Sequence, residues 1–363
     1  MPQQLELPLD QILVGDCIEM MESLPEASVD LIFADPPYNL QLRNDLWRPN
    51  MTQVDAVDDA WDHFADFAAY DQFTERWLRA ARRVMSANAT IWVSGTYHNI
   101  FRVGSQMQSL GFWLLNTVCW YKPNAMPNFR GKRLKNDAEF VIWAARDESS
   151  HYTFNHQVMK QFNDAKQLGS VWKIPLCSGA ERLKDADGKK LHPTQKPEAL
   201  LERIILASSQ PGDVILDPFL GSGTTAAMAR KLHRQWIGIE REAAYIQAAQ
   251  QRIEVVEPLA EEALLPLTVT ADKAPRVPFK RLLEAGLVSA GQTLYFTVTN
   301  QPATVLDNGK LQCGALVGSI HAVGAKLTQA PSCNGWLHWY MIDPITKRNI
   351  LLNDLRGQLR DVN

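Results

Sequence analysis

The chain has 363 residues, 46% hydrophobic and 21% charged, with 37 Lys and Arg against 40 Asp and Glu for a net charge of −3, which is room for one large domain and a small one. No run of about 18 apolar residues exists to span a membrane, and the start MPQQLELPLDQ lacks the basic residues and apolar stretch of a secretory signal. Five scattered cysteines (Cys17, Cys119, Cys177, Cys313, Cys333) form no CxxC pair, so neither a metal site nor a disulfide framework is expected, and a reducing cytoplasm is.

Apolar, β-rich runs recur near 11–15, 30–34, 90–94, 140–145, 213–217 and 236–239. Several are nearly continuous, as in strands buried on both faces. Helical patterns fall between them at 71–85, 197–209 and 241–254; the second has Pro197 at its first helical position and stops before Pro211-Gly212. The alternation predicts an α/β domain, a doubly wound parallel sheet, over 1–256. Pro258, Pro266, Pro275 and Pro278 mark 257–278 as a linker, and 279–363 suffice for a small α+β module. In it, Leu294–Val298 and Thr304–Leu306, followed by Asp307-Asn308-Gly309, predict a hairpin, and a helix is expected near 345–360.

Charge is segregated. Six aspartates (Asp55, Asp58, Asp59, Asp62, Asp66, Asp71) occupy 55–71 without a Lys or Arg, whereas Lys122, Arg130, Lys132, Arg133 and Lys135 occupy 122–135 without an acid. A phosphate backbone responds to local sign rather than to the total. The acidic run reads as a helix face or a lid away from phosphates. The basic run, interleaved with Asn124, Asn128 and Asn136, suits phosphates and base edges, or is a solvated loop.

Asp35-Pro36-Pro37-Tyr38 closes the run Leu31–Ala34. Each proline pushes the residue before it toward an extended conformation, so Asp35 and Pro36 offer a carboxylate and a carbonyl at a strand's C-terminal edge. Two such acceptors on an aromatic amine draw its nitrogen toward a pyramidal geometry and aim its lone pair at an incoming methyl group. Tyr38 offers a face for stacking. Asp217-Pro218-Phe219-Leu220-Gly221-Ser222-Gly223-Thr224-Thr225 closes a second run, Val214–Leu216. Its glycines let the backbone approach a ligand at a helix N-terminus, and Glu240, about twenty residues on, is placed for a ribose diol. His192-Pro193-Thr194-Gln195-Lys196-Pro197 either holds a methionine carboxylate through Lys196 and Thr194 or caps a helix. Together the motifs predict methyl transfer from S-adenosylmethionine to a nucleobase amino group.

With these motifs the chain resembles the β group of DNA amino-methyltransferases from about residue 11 to 254. DPPYNLQL (35–42), YHNIFRV (97–103), MPNF (126–129) and GSIH (318–321) resemble the cell-cycle-regulated adenine methyltransferases of alphaproteobacteria. The resemblance implies a Rossmann-like methyltransferase sheet with permuted motif order, a recognition region about 120–190 and a C-terminal DNA-binding accessory domain. It further implies adenine-N6 methylation in GANTC, a homodimer, and a cytoplasmic, nucleoid-associated enzyme. It assigns catalysis to Asp35, Pro36, Pro37 and Tyr38. Asp16 and Cys17 go to the cofactor's adenine side, Phe219, Gly221, Ser222, Gly223 and Thr224 with Asp217 to its pocket, Glu240 to its ribose, and Thr194, Lys196 and Pro197 to its methionine end. Asn136-Asp137-Ala138-Glu139 departs from the N-A-H-E of relatives.

For DNA, the candidates are Asn39, Leu40, Leu42, Asn124, Arg130, Lys132, Arg133, Lys135, Ser319, Asn334 and Trp336. Leu40 and Leu42 either wedge into the stack left by an extruded base or pack under their loop. From the residues alone, Trp336 and Trp339, three apart, are more often core.

Overall fold

The computed structural model describes residues 6–40, 62–128, 132–185, 187–268, 277–344 and 346–360. The chain divides into two compact units, Met1–Thr270 and Ala271–Asn363.

Eight strands form the sheet of the first unit: β1 (Gln11–Val14), β2 (Val29–Ala34), β3 (Met85–Gly95), β4 (Trp113–Tyr121), β5 (Ala138–Ala145), β6 (Val171–Lys173), β7 (Val214–Asp217) and β8 (Gln235–Glu240). Their order is β1-β8-β7-β2-β3-β5-β4-β6. All six expected runs are strands. Only β5 runs against its neighbours, so the sheet is mixed where a parallel one was expected. A parallel return needs a crossover, usually helical; among the described residues no helix lies between β4 and β5, and the two pair antiparallel. β4 itself hides from a period-based reading, because Asn116-Thr117 break its apolar run at a bulge.

Successive β2 side chains enter opposite cores. Leu31 and Phe33 pack with the helices Glu198–Ser208 and Thr224–Lys231, while Ile32 and Ala34 pack with Cys17–Ser23 and Phe67–Val84. Burial on both faces explains the continuous run. Helix Phe67–Val84 starts where the Asp66 carboxylate accepts the Ala69 N–H at 2.8 Å. It buries Tyr70, Thr74, Trp77, Leu78, Ala81 and Val84, the i, i+4, i+7 stripe of a core-facing helix.

Glu261–Thr268, inside the stretch expected as a linker, is a helix, and Leu264 is buried in the core of the first unit. The second unit is a six-stranded antiparallel sheet with β9 (Thr293–Phe296), β10 (Pro302–Val305), β11 (Leu311–Cys313), β12 (Leu316–Gly318), β13 (Trp339–Ile342) and β14 (Asn349–Leu351), ordered β12-β11-β10-β9-β13-β14. The expected hairpin is the β9–β10 pair, and the last helix is Leu352–Arg360.

Candidate active site

The direction of winding reverses between β7 and β2: the chain moves outward to β8 on one side and to β3 on the other. Ligands of such sheets bind in the crevice at that point, beyond the strands' C-terminal ends. There the two motif loops meet around a cavity of about 310 Å³. Among the described residues, Asp16, Asp35, Asp62, Glu240 and Glu242 line it with Arg241 as the one Lys or Arg, beside Phe219, Ile239, Tyr38 and Pro218. Acids over apolar walls repel phosphate and suit a ligand carrying positive centres and a flat ring. S-adenosylmethionine, with its sulfonium and ammonium, fits that donor set.

Asp35 sits at the end of β2. Its Oδ1 accepts the Tyr38 hydroxyl at 2.7 Å, and its Oδ2 pairs with Lys196 Nζ at 2.5 Å. The Tyr38 ring is largely buried and borders the cavity. Its hydroxyl also lies 3.2 Å from Ser94 Oγ and 3.5 Å from Glu139 Oε2. Burial, then the carboxylates of Asp35 and Glu139, hold the phenol well above its usual pKa, so it stays protonated. Antiparallel β5 brings Glu139 here, since Phe140 pairs with Gly95. Glu139 in turn binds Lys122 at 2.8 Å, so this lysine of the basic run is buried and faces a carboxylate.

The backbone after Asp35 is held on two sides. Tyr70 donates its hydroxyl to the Pro37 carbonyl at 2.9 Å. The Asp62 carboxylate accepts the N–H groups of Tyr38, Asn39 and Leu40 at 2.5, 2.8 and 3.0 Å. Burial raises the Asp62 carboxyl pKa, and the three N–H groups draw it back down. Among the described residues no donor reaches the Pro36 carbonyl, which remains a free acceptor next to Asp35. Asn39 is buried and left-handed (φ 52°), which sets it apart from the solvent-facing DNA contact expected of it. Leu40 is half-buried and borders the cavity. Leu42 lies outside the described residues.

The second motif divides into two parts. Phe219 and Gly221 face the cavity. Asp217, Ser222, Gly223 and Thr224 are not among its walls and serve the loop's own architecture. Asp217 is buried, accepting the Phe219 N–H at 2.9 Å and the Thr225 hydroxyl at 2.5 Å, and burial pushes its carboxyl pKa up to about 7. Gly223 is left-handed (φ 76°), and a Cβ there would stand 2.9 Å from that of Ala249. Thr224 Oγ1 accepts Arg252 Nη1 at 2.8 Å and donates to the Lys196 carbonyl at 3.2 Å. Pro197 precedes the helix Glu198–Ser208 as its N-cap instead of opening it, away from the cavity.

Asp16 and Cys17 border the cavity as expected. Asp16 Oδ1 also caps the helix Cys17–Ser23, accepting the Ile18 and Glu19 N–H groups at 2.9 and 3.3 Å. Burial pushes the Cys17 thiol up to about 12, which leaves it un-ionised. Glu240 accepts the Gly221, Arg241 and Glu242 N–H groups at 2.8, 2.8 and 2.9 Å; a carboxylate has about four acceptor positions, so one remains for a diol. Thr194 lines the cavity, but the Lys196 side chain is turned to Asp35 instead of to a cofactor carboxylate. His192 and Tyr245, which the motif reading did not assign, add ring walls 4.5 Å apart. Burial, then Lys196 and Arg182, lower His192 to about 4, so it is neutral at pH 7.

Lys132 and Arg133 are exposed, Arg133 donating to the Tyr97 hydroxyl at 3.2 Å, and Lys135 lies 3.9 Å from Asp137. Arg130 lies outside the described residues. Both ends of the Asn124 amide are used on the Leu176 backbone, at 2.8 and 3.3 Å, so it is a loop clamp rather than a free base reader. In the second unit Ser319 caps the helix Ile320–Leu327 and Asn334 is exposed. Trp336 is a core residue: it is buried against Phe279, with the Arg356 guanidinium 4.6 Å over its ring.

A family model described as DNA methylase matches residues 29–251, and one described as Restriction Enzyme Adenine Methylase Associated matches 263–363. The chain is 45% identical over 334 residues to Type II methyltransferase M.HinfI of Haemophilus influenzae, covering 92% of each. It is 42% identical over 241 residues to Type II methyltransferase M2.LlaDCHI of Lactococcus lactis subsp. cremoris, covering 66% of this chain and 87% of that one. Among solved structures, the M1.HpyAVI-SAM complex is similar with a TM-score of 0.51 and 28% identity, over 68% of this chain and 99% of that one. The PvuII DNA methyltransferase (cytosine-N4-specific) shares the fold, with a TM-score of 0.53 and 21% identity over 71% and 90% of the two chains.

Proposed function

Because the chain belongs to the DNA methylase family, we propose that it methylates N6 of an adenine extruded from duplex DNA, in the sequence GANTC. The observation that carries this reading is the Asp35 carboxylate beside a Pro36 carbonyl that no described residue engages, at the edge of the acid-lined cavity. S-adenosylmethionine supplies an electrophilic methyl group on a sulfonium, so no strong base is required. Asp35 and Pro36 accept the two N–H bonds of the amine and aim its lone pair toward the cavity, and the Asp35 carboxylate is placed to take the departing proton. Extrusion of the base costs a few kcal/mol, and the exposed Lys132 and Arg133 are the phosphate anchors that offset it. The second unit assists DNA binding, a role supported by the family description over 263–363.

Adenine is favoured over cytosine by Asp35 itself, where enzymes acting on cytosine N4 usually carry Ser, and by that same description. GANTC and a homodimer rest on the resemblance of the DPPYNLQL, YHNIFRV, MPNF and GSIH stretches. Transfer of tritium from labelled cofactor into duplex DNA, followed by nucleoside analysis, tests the chemistry: N6-methyladenine is expected, and N4-methylcytosine would overturn the reading. Protection of plasmid from a nuclease blocked by methylation at GANTC tests the site. Light scattering tests the dimer.

A further inference from the structure

Asp62 belongs to the run of aspartates that in sequence reads as repulsive surface, yet its carboxylate is buried and gathers the N–H groups of three consecutive residues, Tyr38, Asn39 and Leu40. Two of these donors converge on Oδ1 and one on Oδ2. Such a nest of successive N–H groups is complementary to a full anion; a neutral amide has one acceptor oxygen and cannot reproduce it. The arrangement includes Asn39 in the left-handed region, which asparagine tolerates better than most residues with a Cβ. From the other side, Tyr70 fixes the Pro37 carbonyl and receives a hydrogen bond from Asn99 Nδ2 at 3.1 Å.

We propose that Asp62 is a positioning residue for methyl transfer. By anchoring the backbone of 38–40 it fixes the direction of the Pro36 carbonyl and the Asp35 carboxylate just upstream. The assignment rests on the reading of the Asp35–Tyr38 loop as the reaction centre. Asp62 borders the cavity, but both of its carboxylate oxygens are engaged by the loop's N–H groups; it therefore acts through the loop, and a small misplacement of paired acceptors is enough to slow a transfer that depends on alignment.

The test uses the full chain with Asp62→Ala and Asp62→Asn. It measures kcat, cofactor affinity, and the fluorescence of 2-aminopurine at the adenine of a GANTC duplex. Asp62→Ala is expected to lower kcat by about 10- to 100-fold, with a distinctly smaller loss of cofactor affinity, since the carboxylate also borders the cavity, and with the fluorescence rise on base extrusion retained. Asp62→Asn, which keeps an oxygen for Tyr38 and Asn39 but sets an NH₂ against the Leu40 N–H, is expected to fall between. It decides the matter if the alanine variant does not fold: unchanged kcat overturns the assignment. So does a parallel loss of cofactor affinity, base extrusion and kcat, the mark of general structural damage. Transfer by the wild type with undiminished kcat in Asp62→Ala overturns this assignment alone. A wild type that methylates no duplex overturns the functional reading and the assignment with it.

Discussion

Lys196 Nζ lies 2.5 Å from Asp35 Oδ2, although 161 residues separate the two, and both side chains are largely buried. The pair joins the two halves of the site across the crevice between β2 and β7. A lysine expected at the cofactor's carboxylate is thus the counter-ion of Asp35, the carboxylate proposed to grip the amine.

Removing one partner of a buried pair leaves the other charge uncompensated, at a cost of about 3–5 kcal/mol. Lys196→Met is therefore expected to lower kcat by roughly 10- to 100-fold, or ~1.4–2.7 kcal/mol in the barrier, while cofactor affinity stays nearly constant. Equilibrium cofactor titration beside steady-state kinetics checks the split. A collapse of cofactor affinity with kcat preserved would return Lys196 to the methionine end.

What the sequence showed and what it hid follow one physical line. Leu31–Ala34 and Val214–Leu216 were legible because burial on both faces leaves continuous apolar runs, and the prolines and glycines after them mark the loops. Local signals of this kind carry no information about pairing over distance. Asp62 meets Tyr38 across 24 residues and Glu139 meets it across 101, so nothing near Asp62 separated it from its solvated neighbours. The motif Asp217–Thr225 was legible as a loop, but which of its side chains face the ligand depends on the turn, and only Phe219 and Gly221 of those expected do. Spacing alone favoured a core role for Trp336 and Trp339 while the family resemblance put Trp336 among the DNA candidates, and both are buried.

Asp217 makes stability depend on pH. Its carboxyl titrates near 3.8 when unfolded and is raised to about 7 in the fold, so the folded state retains the proton longer. The stabilisation is complete below pH 3.8 and is lost as pH rises through 7. Asp217→Asn keeps an oxygen for the Phe219 N–H and a donor for the Thr225 hydroxyl without titrating. Relative to wild type it should gain stability between pH 4 and 7, on the order of 1 kcal/mol per pH unit, and the difference should level off above. Urea midpoints of the two proteins at pH 5 and pH 8 read this directly; a constant difference would place the charged carboxylate in a better-solvated setting.

The basic run separates into members with different readouts. Lys132→Ala and Arg133→Ala should each reduce the slope of log K against log salt for duplex binding by about 0.9, since both side chains are exposed. Lys122→Met should leave that slope unchanged and slow turnover, because its ammonium is spent on Glu139 behind Tyr38. Fluorescence anisotropy at several salt concentrations checks the slopes. A reduced slope in Lys122→Met would mean that the lysine leaves Glu139 for a phosphate.

The boundary between the units is testable by where the chain is cut. Glu261–Thr268 belongs to the first unit by its packing: Leu264 is buried in the core, the Leu259 N–H donates to the Lys231 carbonyl at 2.9 Å, and Arg230 Nε donates to the Val256 carbonyl at 3.0 Å. Ending the chain at residue 256 removes the buried leucine and the Leu259 contact; ending it at 270 keeps them. A buried leucine contributes about 1.5–3 kcal/mol, and each kcal/mol moves the melting temperature of a domain this size by roughly 2–4 °C. The 1–270 chain should therefore melt at least about 3 °C above the 1–256 chain, and both should bind duplex DNA more weakly than the full chain does. Thermal melts with DNA titrations settle both points: equal melting would put the boundary at the earlier position, and undiminished DNA affinity in 1–270 would remove the second unit from the DNA interface.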